Sequence, residues 1–200
     1  MKPSALDRIF LLAAALLAAY QVVQGIEGLG TLAVTAYTVG FGVIVIACLL
    51  LIILDFEVLD SPLVVIASTI IPLSLSLGLV AEFVQAFLLP YAAFVAVGFS
   101  GIVITRFALP RKSAVIVLAA AHGVSGLLIF SLPIWLTLQG RAPAGFALVG
   151  IGGALIGIVG LLLSFLKTGK PLLSRERILQ LFPALLLLTT AAVVAGFAFI

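Results

Sequence analysis

Seven continuous apolar runs, each about twenty residues long, fill most of the chain, with charge, glycine or proline between them. Hydrophobic residues do not alternate with polar ones, as they would in the roughly ten-residue strands of a membrane barrel. Runs of this length match a helix crossing the hydrocarbon core of a bilayer. There only a helix satisfies every backbone N–H and C=O from within one segment. The pattern predicts an all-α polytopic membrane protein, with seven transmembrane helices forming one domain over residues 1–200.

Punctuation between the runs sets their boundaries. Ser4 with Asp7 is a capping-box pattern that starts the first helix, expected from Ser4 to about Gln24 and closed by the Gly25–Gly30 turn. The basic start and the run LLAAALLAAY could also be read as a signal peptide, but six further spans favour a first membrane helix. The second span, Thr31 to Leu54, stops at the acidic loop Asp55, Glu57 and Asp60. Ser61-Pro62 then offers a serine N-cap with proline at the first helical position. Pro72 is expected to kink this third span, and Glu82 and Gln85 mark the turn beyond it. The fourth runs from Pro90 to Leu109, followed by the basic loop Arg106, Arg111 and Lys112. Ser113 is expected to cap the fifth, which reaches about Leu138. After Arg141 and Pro143 the sixth runs from Ala144 to Leu166. Lys167, Lys170, Arg175 and Arg177 fill the last loop, and Ser174 caps the seventh.

Charge orients this thread. With the N-terminus in the cytoplasm and the C-terminus external, nine of the ten Lys and Arg residues fall on the cytoplasmic side, and only Arg141 lies outside. Tyr20, Tyr37, Tyr91 and Trp135 fall toward the external ends of their spans, where amphipathic rings anchor among headgroups. The expected location is the plasma (inner) membrane.

The three spans before the fourth resemble the three after it. LAAA at Leu12 returns at Leu118, VGFG at Val39 returns as VGIG at Val149, and Pro72 has a counterpart in Pro183, a spacing of roughly 110 residues. Residues 4–86 and 113–200 are therefore expected to be parallel repeat units joined by helix 90–109, a three-plus-one-plus-three plan with its pseudo-twofold axis along the membrane normal.

Composition narrows the function further. Sixty-four per cent hydrophobic and 8% charged residues could not coat a water-facing surface, and lipid is the main partner. The net charge of +3 is what cytoplasmic loops normally carry, and no basic run is interleaved with aromatics, which argues against nucleic-acid binding. A single cysteine, Cys48, inside a span rules out a disulfide framework within the chain. There is no HExxH, GxSxG, CxxC or P-loop, and the spans hold no pair of carboxylates; no catalytic, metal or cofactor residue is assigned. Retinal would need a lysine in the last span, and there is none.

His122, the only histidine, falls near the middle of the fifth span within AAAHGVSG. An ionisable group at that depth is a functional hypothesis by default, as a proton relay, a donor to a solute or a tetrapyrrole ligand. The alternative is a neutral ring bonded within the bundle. Haem held by two histidines is excluded within one chain. Ser125 beside it, Ser68, Thr69, Ser74 and Ser76 around Pro72, and Thr189 in the seventh span could line a polar path. Equally, these hydroxyls could return hydrogen bonds to their own backbone. Gly150, Gly153 and Gly157 are expected to pack helices, the last two as a GxxxG. Asp55, Glu57 and Asp60 face Arg175 and Arg177 from the same side and are expected to attract. Together these features favour transport or channel activity for a small solute or ion. The rival is a non-catalytic structural or assembly subunit, pigment- or lipid-binding, with a homo-oligomer or membrane-complex partner.

Overall fold

Each apolar run becomes one helix. The computed structural model describes residues 2–108, 111–167 and 172–200, without the side chains at 111, 112, 159, 161 and 163–167. The helices are α1 (Ala5–Gln24), α2 (Thr31–Leu54), α3 (Pro62–Phe83), α4 (Leu88–Ala108), α5 (Arg111–Leu138), α6 (Ala147–Lys167) and α7 (Arg175–Phe197). Short 3-10 turns occupy Phe56–Asp60, Gln85–Phe87 and Ala144–Phe146. The described residues are helical without strands, and six to seven of the helices are long and apolar enough to span a membrane. Exposed Ile9, Leu16, Ile53, Val97, Ile116 and Leu127 give the bundle an apolar outer surface suited to lipid. This is the build of an integral membrane protein. The basic side chains of Arg111, Lys112, Lys167 and Lys170 lie outside the described residues.

Local chemistry explains most helix ends. The Ser4 N–H donates to Asp7 Oδ2 at 2.8 Å and the Asp7 N–H to Ser4 Oγ at 3.2 Å, which closes the capping box of α1. Ser174 Oγ accepts the Arg177 N–H at 3.3 Å and starts α7. Ser61 holds the N-cap position of α3 with Pro62 next to it, but its side chain makes no capping bond. Ser113 does not cap α5. The helix already begins at Arg111, because arginine and lysine are good helix formers, and the serine falls within the first turn. α3 runs through Pro72 as one helix. The far end of α3 also serves α2: Glu82 Oε2 accepts the N–H of Gly30, the N-cap residue of α2, at 2.9 Å. An anion there suits the positive end of the helix dipole.

The packing traces a closed ring. Its neighbours are α1–α2, α2–α3, α3–α5, α5–α6, α6–α7 and α7–α1, while α4 lies outside, against α3 and α5. At one end, here the charged end, Arg8 meets Asp55 at 3.3 Å and Arg175 meets Asp60 at 2.6 Å. At the other, the aromatic end, Phe197 packs on Tyr37, Phe41 and Phe146, with ring centroids 4.6, 6.1 and 6.2 Å apart, and Phe146 on Phe83 at 5.2 Å. Tyr37 is therefore not a headgroup anchor: it is 2% exposed in the core, its ring packed against Gly78. Tyr91 likewise turns inward, while Tyr20 and Trp135 stay exposed, with the Arg141 guanidinium 5.6 Å from the Trp135 ring.

Glycines set how closely the helices approach. A Cβ on Gly150 would fall 2.5 Å from the Phe130 carbonyl oxygen, and one on Gly153 2.9 Å from Ile129, so this pair seats α6 on the α5 backbone. Gly152 turns the other way, where a Cβ would lie 2.6 Å from Val193 of α7. Gly157 has open space beside it. Between α5 and α6 the backbones therefore meet at Gly150 and Gly153, one turn before the Gly157 of the GxxxG. Gly150→Ala should destabilise the protein by about 1–3 kcal/mol, as overpacking against backbone does. Gly157→Ala should be neutral or slightly stabilising, because alanine favours the helix; thermal unfolding in mild detergent compares the two.

Candidate functional site

α3, α4 and α5 meet in a seam where Tyr91 joins two buried serines, Ser76 and Ser125. Its apolar part is Leu73, Ile102 and Ala121, with Phe94, Phe99 and Leu118 around them. Close approach is possible because α4 presents Gly98 to Ala121 and Gly101 to Val117. Above this layer, Tyr91 Oη donates to Ser76 Oγ at 2.8 Å and lies 3.4 Å from Ser125 Oγ. One phenol thereby joins three helices. Both serines are fully buried, where a hydroxyl without a partner is expensive.

His122 sits one turn below Ser125 on α5. Its Nδ1 is 3.1 Å from the Leu118 carbonyl oxygen. A carbonyl only accepts, so Nδ1–H is the donor, and in the neutral ring Nε2 carries no proton. The ring is partly buried.

The other hydroxyls of α3 are engaged locally. Ser68 and Thr69 both donate to the Val65 carbonyl, at 2.9 and 2.8 Å, and Ser74 to that of Ile70 at 2.6 Å. Ser76 also donates to the Pro72 carbonyl. Such back-bonds satisfy polar groups where water is absent. Thr189 is on α7, which packs against α1 and α6; its hydroxyl is buried and makes no hydrogen bond. The structure thus joins Ser76 and Ser125, with His122 a turn away, and leaves Ser68, Thr69, Ser74 and Thr189 apart from them. Tyr91 is the member that hydropathy misses, because a tyrosine near the end of a span reads as a headgroup anchor.

The two clearest recesses lie elsewhere. A recess of about 440 Å³ opens at the charged end between Phe56, Glu57, Asp60, Arg175, Glu176 and Leu179. A second, about 10 Å³, lies between α1 and α2, lined by Gln21, Gly25, Tyr37, Thr38 and Phe41. It has room for about one water molecule. Neither is lined by His122 or the α3 hydroxyls. Around the larger recess Arg175 holds Asp60, while Asp55 is held by Arg8 from α1 rather than by the last loop. Arg177 is exposed. Among the described residues no three His, Cys, Asp or Glu side chains converge as a metal set would require.

Comparison with family models, curated proteins and solved structures returns no match.

Two outcomes follow from this geometry. Tyr91→Phe removes the hydroxyl that bridges the seam and should lower stability by about 0.5–1.5 kcal/mol. Ser76→Ala added to it should give less than the sum of the two single changes, read by thermal unfolding as a double-mutant cycle. Asp60→Lys should lower the melting temperature at low salt and lose most of that effect near 1 M salt, where exposed charges are screened within about 3 Å. A salt-independent change would rule out an ion-pair origin. The pair is half-exposed, so its contribution is at most about 1 kcal/mol.

Proposed function

We propose that this protein carries a small, weakly polar solute or ion across a membrane, using two three-helix units, α1–α3 and α5–α7, with α4 as their connector. The observation that carries the reading is the symmetry of the ring. Exchanging α1, α2 and α3 for α5, α6 and α7 turns α1–α2 into α5–α6, α2–α3 into α6–α7, and α3–α5 into α7–α1, so each contact maps onto another contact. Parallel duplications of this kind place solute sites near the midplane, where the units meet. The α3–α5 seam is such a meeting, and it holds Ser76, Ser125, Tyr91 and His122.

The two ends differ in a way that suits a carrier held on one side. Five aromatic rings close the aromatic end, while the charged end is recessed. With the N-terminus in the cytoplasm, the closed end is external and the recess faces inward. The positive-inside distribution supports that orientation. One observation favours a second reading, as a non-catalytic subunit of a membrane complex. The α3 hydroxyls already bond within the protein, and neither of the two recesses is lined by them.

In liposomes holding the purified protein, a panel of small neutral and weakly charged solutes should identify one that enters faster than in empty vesicles. His122→Ala should reduce that flux about tenfold or more, and Val124→Ala, an exposed neighbour, should not. Full flux in His122→Ala removes the histidine from the path; no flux for any solute favours the subunit. Sidedness is checked in cells with Cys48→Ser as background. Gln139→Cys should react with an impermeant maleimide and Asp60→Cys should not, and the reverse result would invert the orientation.

A further inference from the structure

α5 and α6 touch over one stretch and part beyond it. A Cβ on Gly150 of α6 would fall 2.5 Å from the Phe130 carbonyl oxygen of α5, and one on Gly153 3.0 Å from the Phe130 N. One turn on, the same stripe of α6 presents Gly157, since residues four and seven apart share a helix face. The matching turn of α5, which runs the other way, presents Gly126 and Gly123. A Cβ on any of these three would meet no atom within 4 Å. The helices have separated there. Ala119 and Gly123 on α5 and Gly157 on α6 are exposed, so the gap opens to the outside of the bundle, where lipid lies.

His122 stands four residues before Gly126, on the same face of α5. Its Nδ1–H donates to the Leu118 carbonyl oxygen at 3.1 Å, which leaves a lone pair on Nε2. Nε2 has no hydrogen-bond partner among the described residues. Nor is it sealed. The buried side-chain atoms without a partner are those of Tyr37, Arg106 and Thr189, whereas Nε2 keeps accessible surface. A free ring nitrogen therefore stands beside open space, near the middle of a spanning helix.

Two properties narrow what that nitrogen can hold. A metal-ligating histidine almost always donates its second ring N–H to a carbonyl or carboxylate, which orients the ring and raises its basicity; the Leu118 carbonyl takes that place here. A bare ion would need further protein ligands, and among the described residues no three His, Cys, Asp or Glu side chains converge. A single imidazole suffices when the metal brings its other ligands with it. That describes a metallotetrapyrrole, whose own nitrogens fill the equatorial plane and leave an axial position for a histidine. The macrocycle is flat and apolar, and glycines give it walls without side chains.

We propose that His122 is the axial ligand of a metallotetrapyrrole that enters the α5–α6 gap from the bilayer. Binding is donation of the Nε2 lone pair to the vacant axial position of the metal, and no proton leaves, because that nitrogen carries none. The proposal stands apart from the transport reading, which takes His122 as part of a solute path. Flux in His122→Ala tests that reading, and a spectrum tests this one.

The test titrates the full chain in mild detergent with zinc protoporphyrin IX, which takes one axial nitrogen, and with metal-free protoporphyrin IX, reading the Soret band. The expected result is a saturable red shift with the zinc form, ending at one porphyrin per chain, and none with the metal-free form. His122→Ala should lose the shift, and His122→Gly should regain it when imidazole is added. Gly126→Leu fills the gap and keeps the histidine, and should weaken the apparent Kd roughly tenfold or more. Val124→Ala, an exposed neighbour, should bind as the wild type does. Equal responses to the two porphyrins overturn the proposal, since the metal is then not what is held. An unshifted band in the wild type overturns it, as does His122→Ala binding as tightly as the wild type. Should His122→Ala not fold, Gly126→Leu decides alone, and unchanged affinity there refutes a macrocycle in the gap. A benzoquinol that raises the melting temperature only when His122 is present, with no porphyrin bound, assigns the nitrogen to a hydrogen-bond donor and overturns the proposal as well.

Discussion

Close approach between helices is what this bundle depends on. In water a helix is driven onto its neighbour because the alternative exposes apolar surface. In lipid that drive vanishes, and association rests on van der Waals contact and the few polar bonds across the interface. Gly150 and Gly153 bring α6 onto the Phe130 and Ile129 backbone of α5, Gly152 and Gly196 do the same between α6 and α7, and Gly78 lets the Tyr37 ring lie on α3. Removing the side chain at these positions gives larger ones somewhere to sit. Three of the six contacts of the ring, α2–α3, α5–α6 and α6–α7, use this device.

Its two ends are held by different chemistry. The aromatic end is shut by rings from α2, α3, α7 and the Ala144–Phe146 turn. The charged end is tied by arginines from α1 and α7 to the acidic loop between α2 and α3. Ion pairs that are half-exposed are weak and yield to salt, whereas buried aromatic contacts do not. The seam of α3, α4 and α5 is a third kind of joint, in which one phenol satisfies two buried serines. Polar groups are sparse in this protein, and this seam is where two of them from different helices share a partner.

Hydropathy made the helices legible, and the caps at Ser4 and Ser174 made two of the starts legible. Which face of each helix turns inward was not. In a soluble protein the buried face is the apolar one, but here both faces are apolar, so Tyr37 and Tyr91 looked like headgroup anchors. The same blindness hid that Gly150 with Gly153 is the pair that meets α5 within the chain. Ser113 matched the pattern of a cap but lies inside a helix that starts earlier. Of the mid-span polar residues, Ser76 and Ser125 meet through Tyr91, and His122 lies a turn from Ser125 on α5. Their link, Tyr91, comes from a helix whose own sequence carries no packing signal beyond two glycines.

α3 and α5 lie side by side and start at the same end of the bundle. A chain leaving α3 finishes at the wrong surface to begin α5, and inside a membrane no loop can make that return. Only another traverse can. α4 is that traverse, which explains why it is so shallowly seated, with Ile102 and Thr105 as its buried residues among those described. Two neighbouring helices that point the same way and follow one another in the chain can be joined across a bilayer only by such an extra passage.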